Sequence, residues 1–239
     1  MFSKETYITR RAELKKLTES GLILIFGNND SPANYPANTY KFRQDSTFLY
    51  FFGWQRDGLV GVIDVDNDRE YFVGDEIDID DIVWYGSVTS VGEMAARAGV
   101  ARTAKMRELQ NIVDAAKSSG QEIHFLPPYR FDTKIQIMDL LGLHPAVQKE
   151  AASRKLIDAV VKLRSTKSEE EIAELERAAR IGYEMHTAAM RLCSPETTEQ
   201  YIGGVLDGIA SSYGCMVSFP SIVTMHGEIL HGYPSPRKL

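Results

Sequence analysis

Short apolar runs alternate with helical stripes through the first two thirds of the chain. The run "GLILIFGN", residues 21–28, is apolar and bounded by glycines, which predicts a buried strand. Residues 59–65 and 70–73 flank a polar Asp-Asn-Asp turn and predict a hairpin. Further strands are predicted at 48–52 and 122–126, and helices at 4–19, 91–98 and 104–118. Strands that alternate with helices predict an α/β layer in this part of the chain.

The pattern changes near residue 166. Ser168 followed by Glu171 predicts a capping box, in which each side chain binds the other's free backbone N–H group, and a helical apolar stripe follows. Ser194-Pro195 is predicted to open the next helix, because proline suits the first turn. Two more strands are then predicted, at 215–224 and 227–232.

We therefore predict two domains, 1–165 and 166–239. The second has only about 74 residues, which is small for an independent hydrophobic core. It ends on the Pro-rich stretch "YPSPRKL", so we interpret it as the first part of a larger domain.

Composition and charge narrow the classes of function. The 239 residues include 27 Lys and Arg against 33 Asp and Glu, a formal net charge of −6. Nucleic-acid affinity comes largely from phosphate neutralisation, so we expect no nucleic-acid partner. Cys193 and Cys215 are too few for a disulfide framework and favour a reducing compartment. With no signal-peptide pattern and no apolar run of about 20 residues, we predict a cytoplasmic protein without a membrane partner.

The histidines of "HGEILH" are the first candidates for chemistry. His226 and His231 are five positions apart, whereas the helical zinc motif needs a spacing of four to place both nitrogens on one face. We interpret them as substrate contacts facing a polar cleft, and solvent-facing loop histidines are the structural alternative. His186 falls on an apolar helical stripe and is interpreted as a core residue.

A polar cluster interrupts the aromatic stretch "YPANTYKFRQDSTFLYFFGW", residues 35–54. We call residues 43–46, Arg-Gln-Asp-Ser, the RQDS cluster. Polar groups among packed rings are costly unless they are hydrogen-bonded. Our hypothesis is that Arg43 pairs with Asp45 or a backbone carbonyl, with the rings packed around its stem.

These stretches resemble a known family. The aromatic stretch with its RQDS cluster resembles the N-terminal domain of aminopeptidase P, and "VWYGSV" around Trp84 resembles a segment that follows there. "LRSTKSEEEIAELERA" is similar to the linker and first catalytic-domain helix of the creatinase and prolidase superfamily. "SFPSIVT" with "EILHG" resembles the segments just before that superfamily's metal site.

The resemblance implies a fold and an activity. The implied fold is α/β: a creatinase N-terminal-like domain, a mixed sheet with helices, followed by an incomplete pita-bread α+β domain. The implied activity is removal of the N-terminal residue from Xaa-Pro peptides by two divalent metal ions, usually manganese, that activate a hydroxide. The family's five metal ligands are expected beyond Leu239, so no metal ligand is expected in this chain, which we expect to be inactive by itself.

The resemblance also implies roles for three residues. His231 matches a histidine that contacts substrate, and Trp84 matches a tryptophan that reaches a neighbouring subunit's active site in a homo-oligomer built through the N-terminal domain. His226 departs from the family, which carries small Gly-rich residues there, and is expected to reshape the substrate pocket.

Three other functions remain open. A prolidase would cleave Xaa-Pro dipeptides by the same chemistry. A non-catalytic pita-bread protein would keep the fold and bind partners without cutting, and a standalone interaction domain would serve assembly alone. The metal-ligand set of two Asp, one His and two Glu discriminates the enzymes from the binding proteins.

Overall fold

The structure is a computed structural model that describes residues 1–239, apart from the side chains of Ile79, Asp80 and Tyr85. By its internal contacts the chain divides into two units, Met1–Thr166 and Lys167–Leu239. The strands of the first unit are β1 (Leu22–Phe26), β2 (Pro32–Tyr35), β3 (Asn38–Thr39), β4 (Val60–Asp64), β5 (Arg69–Val73), β6 (Arg102–Ala104) and β7 (Ile123–Phe125). Its helices are α1 (Lys4–Thr18), α2 (Ser46–Phe52), α3 (Ile79–Tyr85), α4 (Val91–Ala98), α5 (Leu109–Ser118), α6 (Phe131–Leu141), α7 (Gln148–Ala151) and α8 (Arg154–Ser165). The helices of the second unit are α9 (Glu169–Leu192) and α10 (Glu199–Ser212).

Five strands of the first unit form one mixed sheet in the order β6-β5-β4-β1-β7. β5, β4 and β1 pair antiparallel, whereas the outer strands β6 and β7 pair in parallel with their neighbours. The predicted hairpin is confirmed as β4 and β5, with Val62 opposite Tyr71. The short strands β2 and β3 form a separate hairpin. This mixed sheet with its helices confirms the predicted α/β class.

Helices cover both faces of the sheet. On one face, Ile23 and Ile25 of β1 lie in a buried cluster with residues of α1, α2, α4 and α8. On the other face, Leu22 and Leu24 lie in a cluster with residues of α5 and α6. Successive side chains of a strand point to opposite faces, so a strand covered on both sides reads as a continuous apolar run. This burial explains why "GLILIFGN" shows no polar alternation.

The prediction of a strand at 48–52 is wrong, because these residues form α2. Asp45 accepts hydrogen bonds from two backbone N–H groups of the first turn, at 2.8 and 2.9 Å, and so caps the helix. Gly53 ends it in the left-handed region, with φ 76°. Phe48 and Phe52, four residues apart, lie on one helix face with ring centroids 5.2 Å apart. The caps and this packing outweigh the β propensity of the aromatic residues.

A buried arginine joins α1 to the end of α2. Arg11 is 0% exposed, and its guanidinium donates to Phe51 O (2.9 Å), Gly99 O (3.1 Å) and Glu70 Oε2 (2.8 Å). Phe51 lies in the last turn of α2, where carbonyl groups lack partners within the helix. Burial lowers the pKa of Arg11, and the nearby carboxylate of Glu70 opposes that shift. The arginine therefore stabilises the helix end from the core side.

The buried polar group of the RQDS cluster is Gln44. Its side chain is 1% exposed, accepts a hydrogen bond from Asn28 N (2.6 Å) and donates to Arg56 O (2.5 Å). The side chain of Arg43 is exposed, and its backbone oxygen accepts from Asn28 Nδ2 (2.8 Å). The buried centre of the cluster is therefore Gln44 and not Arg43, and the pairing of Arg43 with Asp45 or a backbone carbonyl stays a prediction. Gln44 fills that place because an uncharged amide costs less to bury than a guanidinium.

The remaining predictions for the first unit are largely confirmed. The helices predicted at 4–19 and 91–98 are α1 and α4, and the strand predicted at 122–126 is β7. The helix predicted at 104–118 begins later, because β6 and a 3₁₀ turn (Met106–Glu108) precede α5. Pairing of β6 with the sheet edge at β5 takes these residues out of the helix.

The second unit differs more from its predicted elements. The capping box of Ser168 and Glu171 at the start of α9 is confirmed. α10 begins at Glu199 with Thr198 as its cap, so the prediction that Ser194-Pro195 opens this helix is wrong. The strand predictions at 215–224 and 227–232 are also wrong, since both segments are irregular as described. A strand needs a hydrogen-bonded neighbour, and the sheet that the first unit builds has no counterpart in residues 167–239 as described.

Candidate functional site

The predicted histidines lie on one irregular segment of the second unit. We call residues 224–235 the histidine loop; it carries His226 and His231 and follows α10 in the chain. Most of its side chains are exposed, including Leu230 at 75% and Tyr233 at 80%. Burial of apolar side chains therefore contributes little to holding this loop, and polar contacts must fix its position.

A buried carboxylate at the start of α10 contacts both ends of the histidine loop. Glu199 is 2% exposed, and Oε1 accepts from Met225 N at 3.0 Å. Oε2 accepts from Ser235 Oγ (2.6 Å) and Ser235 N (3.2 Å). These hydrogen bonds, that from Ser235 Oγ foremost, lower the pKa of Glu199 to about 2. The group is therefore a carboxylate at neutral pH, with both oxygens engaged.

Backbone contacts hold the following residues against the same helix end. Glu199 N donates to Arg237 O (3.1 Å), and Gln200 N donates to Ser235 O (2.9 Å). The first N–H groups of a helix have no partner within it, so the chain after the loop satisfies donors that would otherwise be free. The base of the histidine loop is thus anchored to α10 through main chain and side chain together.

His226 forms a pair with a carboxylate inside the loop. Its Nδ1 lies 2.9 Å from Glu228 Oε1, and its backbone oxygen accepts from Ile229 N (2.9 Å) in a tight turn. The backbone N–H of Glu228 donates to its own carboxylate, and together with the hydrogen bond from His226 this lowers the pKa of Glu228. The pair is solvent-accessible on both sides, with side-chain exposures of 44% and 71%. The arrangement can orient an imidazole and can accept or donate a proton at the loop surface.

His231 lines a cavity of about 340 Å³ at the other side of the loop. The side chain is exposed, and its neighbours around the cavity are largely apolar. The other lining residues are Phe219, Pro220, Ile222, Gly232 and Tyr233. A cavity with two aromatic side chains and one imidazole suits a small apolar group that carries a polar atom near it.

A second apolar groove of about 460 Å³ lies between α9, α10 and the segment after them. His186 lines this groove and is exposed, so its interpretation as a core residue is wrong. Of the apolar stripe on which it lies, Gly182 and His186 line the groove, and only Ile181 of α9 is buried among the described residues. An apolar stripe predicts a face that can be buried, whereas the packing of the unit decides whether it is.

Trp84 belongs to the first unit, on the short helix α3. Its side chain is 82% exposed and that of Val83 is 78% exposed. A capping box between Asp78 and Asp81 fixes the start of this helix. Large apolar side chains exposed side by side are typical of interaction surfaces. The predicted role of Trp84 in substrate binding stays a prediction.

The metal pair that the family resemblance implies finds no ligand set among the side chains that the structure describes. Among the side chains that the structure describes, no group of three or more His, Cys, Asp and Glu could hold a metal ion. His226 and Glu228 supply two donors without a third. None of the helices in the described part of the chain combines the length and apolarity needed to cross a bilayer.

Glu199 is the residue of this site that the sequence interpretation missed. An acidic residue directly after the cap Thr198 is common at helix starts, where it favours the helix dipole. The signal that could have found it is its position ahead of a Gly-rich helix and a His-bearing loop. That signal is weak, because nothing in the spacing predicts contact across 36 residues with Ser235.

Comparison with known proteins agrees with this fold. The family model of the aminopeptidase P N-terminal domain matches residues 7–124. The Xaa-Pro aminopeptidase of Escherichia coli (strain K12) is 24% identical over 234 residues, which cover 95% of this chain and 53% of that protein. A solved low-pH form of E. coli aminopeptidase P superposes with a TM-score of 0.71 at 23% identity, covering 90% of this chain and 50% of that chain.

A zinc-substituted form of the E. coli enzyme in complex with product gives a TM-score of 0.70 at 22% identity, over 89% of this chain and 50% of that chain. The chain therefore spans about half the length of the relatives it matches. At these identities the solved structures establish the fold alone. The family match falls on the mixed sheet and helices of the first unit. Residues 7–124 of this chain form an aminopeptidase P N-terminal domain.

Proposed function

We propose that this chain is the N-terminal half of an Xaa-Pro aminopeptidase, which hydrolyses the bond before a proline in the second position of a peptide. The observation that carries the proposal is the family match over residues 7–124. The relatives that align with nearly the whole of this chain are named Xaa-Pro aminopeptidase and aminopeptidase P. On this proposal the second unit is the first part of a pita-bread metallopeptidase domain.

The histidine loop supplies the substrate contacts in this proposal. The cavity beside His231 has aromatic walls from Phe219 and Tyr233, which suit the apolar ring of a proline. The His231 imidazole would hydrogen-bond a peptide group next to that ring. His226, oriented by Glu228, would stand at the loop surface and influence which peptides are preferred.

The metal ions belong to another part of the proposed enzyme. The family resemblance implies two divalent ions, with manganese expected, that lower the pKa of a bound water molecule. In the family pattern the ligands of these ions follow the segment that matches His231, and we propose the same order for this enzyme. The 239-residue chain is accordingly proposed to be inactive without them.

Two further proposals concern assembly and location. The exposed Val83 and Trp84 on α3 support a homo-oligomer formed through the N-terminal domain, with Trp84 as an apolar wall for substrate. The chain has two cysteines, Cys193 and Cys215, and no disulfide joins them, which supports a reducing compartment, and we propose the cytoplasm.

The test is peptidase activity on an Xaa-Pro-Xaa peptide with added manganese, for the 239-residue chain and for the complete gene product. We expect cleavage by the complete gene product only. His231→Ala should then lower its kcat/KM by about ten- to hundredfold, the effect of losing one hydrogen bond to a charged or polarised group. His144→Ala, an exposed histidine of the first unit, is the matched control and should leave kcat/KM unchanged.

Other outcomes would select the alternatives. Cleavage of an Xaa-Pro dipeptide but of no longer peptide would favour prolidase. Absence of any cleavage would favour a non-catalytic pita-bread protein. Cleavage by the 239-residue chain itself would contradict the placement of the metal ions, and His226 would have to be re-examined as a ligand.

A further inference from the structure

We propose that Glu199 is a positioning residue, which holds the histidine loop on α10 and thereby sets the place of His231 for substrate. The inference deepens the proposed function and rests on it for the role of His231. Glu199 itself contacts the loop at Met225 and Ser235, and its carboxylate is engaged by both ends.

One carboxylate closes the whole loop. Met225 and Ser235 are ten positions apart in the chain, yet each donates its backbone N–H to a different oxygen of Glu199. Ser235 Oγ adds the shortest contact, at 2.6 Å. Hydrogen bonds to a charged acceptor are about twice as strong as neutral ones, and Glu199 itself is 2% exposed. The two ends are therefore held at a fixed separation.

Glu199 lies on a helix that is capped at its start and buried along one face. Glu199 is the first residue of α10, and Thr198 caps this helix. The Thr198 side chain accepts a hydrogen bond from Tyr201 N at 3.2 Å. Ile202 and Ala210 lie on the buried face of α10 and are 2% and 3% exposed. The loop by contrast exposes most of its apolar side chains. Backbone hydrogen bonds also hold the Ser235 end against α10, whereas the hydrogen bond to Met225 comes from the Glu199 carboxylate.

Only a carboxylate can accept from all the donors around Glu199, which are Met225 N, Ser235 N, Ser235 Oγ and the Thr224 side chain. Glutamine has nearly the same shape but offers one acceptor oxygen, and its amide N–H₂ group would face the N–H of Met225 or Ser235. Two donors that face each other in a buried site cost free energy, and one loop end is expected to detach. Glu199→Gln is therefore a specific test that changes hydrogen bonding while almost preserving side-chain volume.

The first experiment measures backbone amide hydrogen exchange in the 239-residue chain by NMR. In Glu199→Gln we expect the amides of Met225 and Ser235 to exchange at least about tenfold faster, the effect of losing about 1.4 kcal/mol of local protection. The amides of Ile202 and Ala210 should keep their rates. Glu176→Gln, on the exposed surface of α9, is the matched control and should change neither set.

A second variant keeps the proposal testable if Glu199→Gln does not fold. Ser235→Ala removes only the 2.6 Å contact and should speed exchange at Ser235 and Met225 to a smaller degree. Ser212→Ala at the end of α10 is its control. Unchanged exchange at Met225 and Ser235 in either folded variant would overturn the proposal.

The second experiment tests whether Glu199 acts on catalysis through His231 in the complete gene product. Glu199→Gln should lower kcat/KM, and in the His231→Ala background it should cause no further loss. Equal losses in both backgrounds would mean that Glu199 acts on stability in general, which overturns the positioning role. If the complete gene product cleaves no peptide, the proposed function fails while the exchange measurement still decides whether Glu199 holds the loop.

Discussion

Individual buried polar groups determine how the RQDS cluster is built. Gln44 joins three backbone segments through Asn28 N, Arg56 O and Asp45 N, and is almost without solvent contact. Arg43 beside it is exposed. The pattern of aromatic residues around a polar cluster predicts that some group there is buried and bonded, but side-chain burial depends on backbone direction, which the pattern does not contain.

Substitution of Gln44 and of Arg43 should show how much each contributes to the free energy of unfolding. Gln44→Ala leaves a buried N–H of Asn28 and a carbonyl of Arg56 without partners, so we expect the free energy of unfolding of the first unit to fall by about 2 kcal/mol. Arg43→Ala should lower it by a clearly smaller amount, since the side chain is exposed. Urea unfolding of both variants measures the difference. A larger loss for Arg43→Ala would restore the arginine as the centre of the cluster.

At the scale of elements, α2 shows how a cap can override propensity. The run "STFLYFF" is rich in aromatic residues that favour strands. Asp45 directly before it and Gly53 directly after it carry the start and stop signals of a helix. Both signals are visible in the sequence, so the error was one of weighing a local cap against an aromatic run. Packing of Phe48 and Phe52 against Phe72 then decides in favour of the helix.

The cap of α2 should be measurable by substitution. Asp45→Ala removes the acceptor of two backbone N–H groups, and also the contact with Tyr129 OH at 3.1 Å. We expect a loss of about 1–2 kcal/mol in the free energy of unfolding. Asp45→Asn keeps a good capping side chain and should lose much less. Equal losses for the two variants, measured by thermal and urea unfolding, would argue against a capping role.

The irregular elements of the second unit have a different origin. Residues 215–224 and 227–232 have the apolar composition of strands, but strands require pairing that is supplied by other segments. In the described structure turns and the contacts with α10 satisfy backbone groups instead, such as the bond from Ile229 N to His226 O. Composition thus indicates what these segments can form, and the available partners decide what they do form.

At the scale of the whole molecule, acid should weaken the second unit through Glu199. The pKa of this group is lowered from 4.5 to about 2 by its hydrogen bonds to Ser235 and Met225. A carboxylate with a lowered folded-state pKa contributes stability that is fully present above the unfolded-state pKa. As the pH falls from about 4.5 towards about 2, that contribution is lost, because the unfolded state binds a proton more readily.

NMR signals of the Met225 and Ser235 amides, followed from pH 5.5 downwards, provide the measurement. We expect both signals to report loosening of the histidine loop in this acid range, while the wild-type loop stays unchanged at higher pH. Glu199→Gln cannot titrate and should abolish that pH dependence. Persistence of the same acid transition in Glu199→Gln would assign it to another carboxylate of the loop with a lowered pKa, Glu228.

Local periodicity and caps are sufficient to predict the α/β class, the hairpin of β4 and β5, the helices α1 and α4, and the capping box at Ser168. The motifs of the sequence also pointed to the aminopeptidase P N-terminal domain. Three features instead depend on tertiary contacts: the helical conformation of Phe48–Phe52, the burial of Gln44 rather than Arg43, and the contact of Glu199 with Ser235. Each of these depends on contacts between residues far apart in the chain, whose free energies local patterns do not encode.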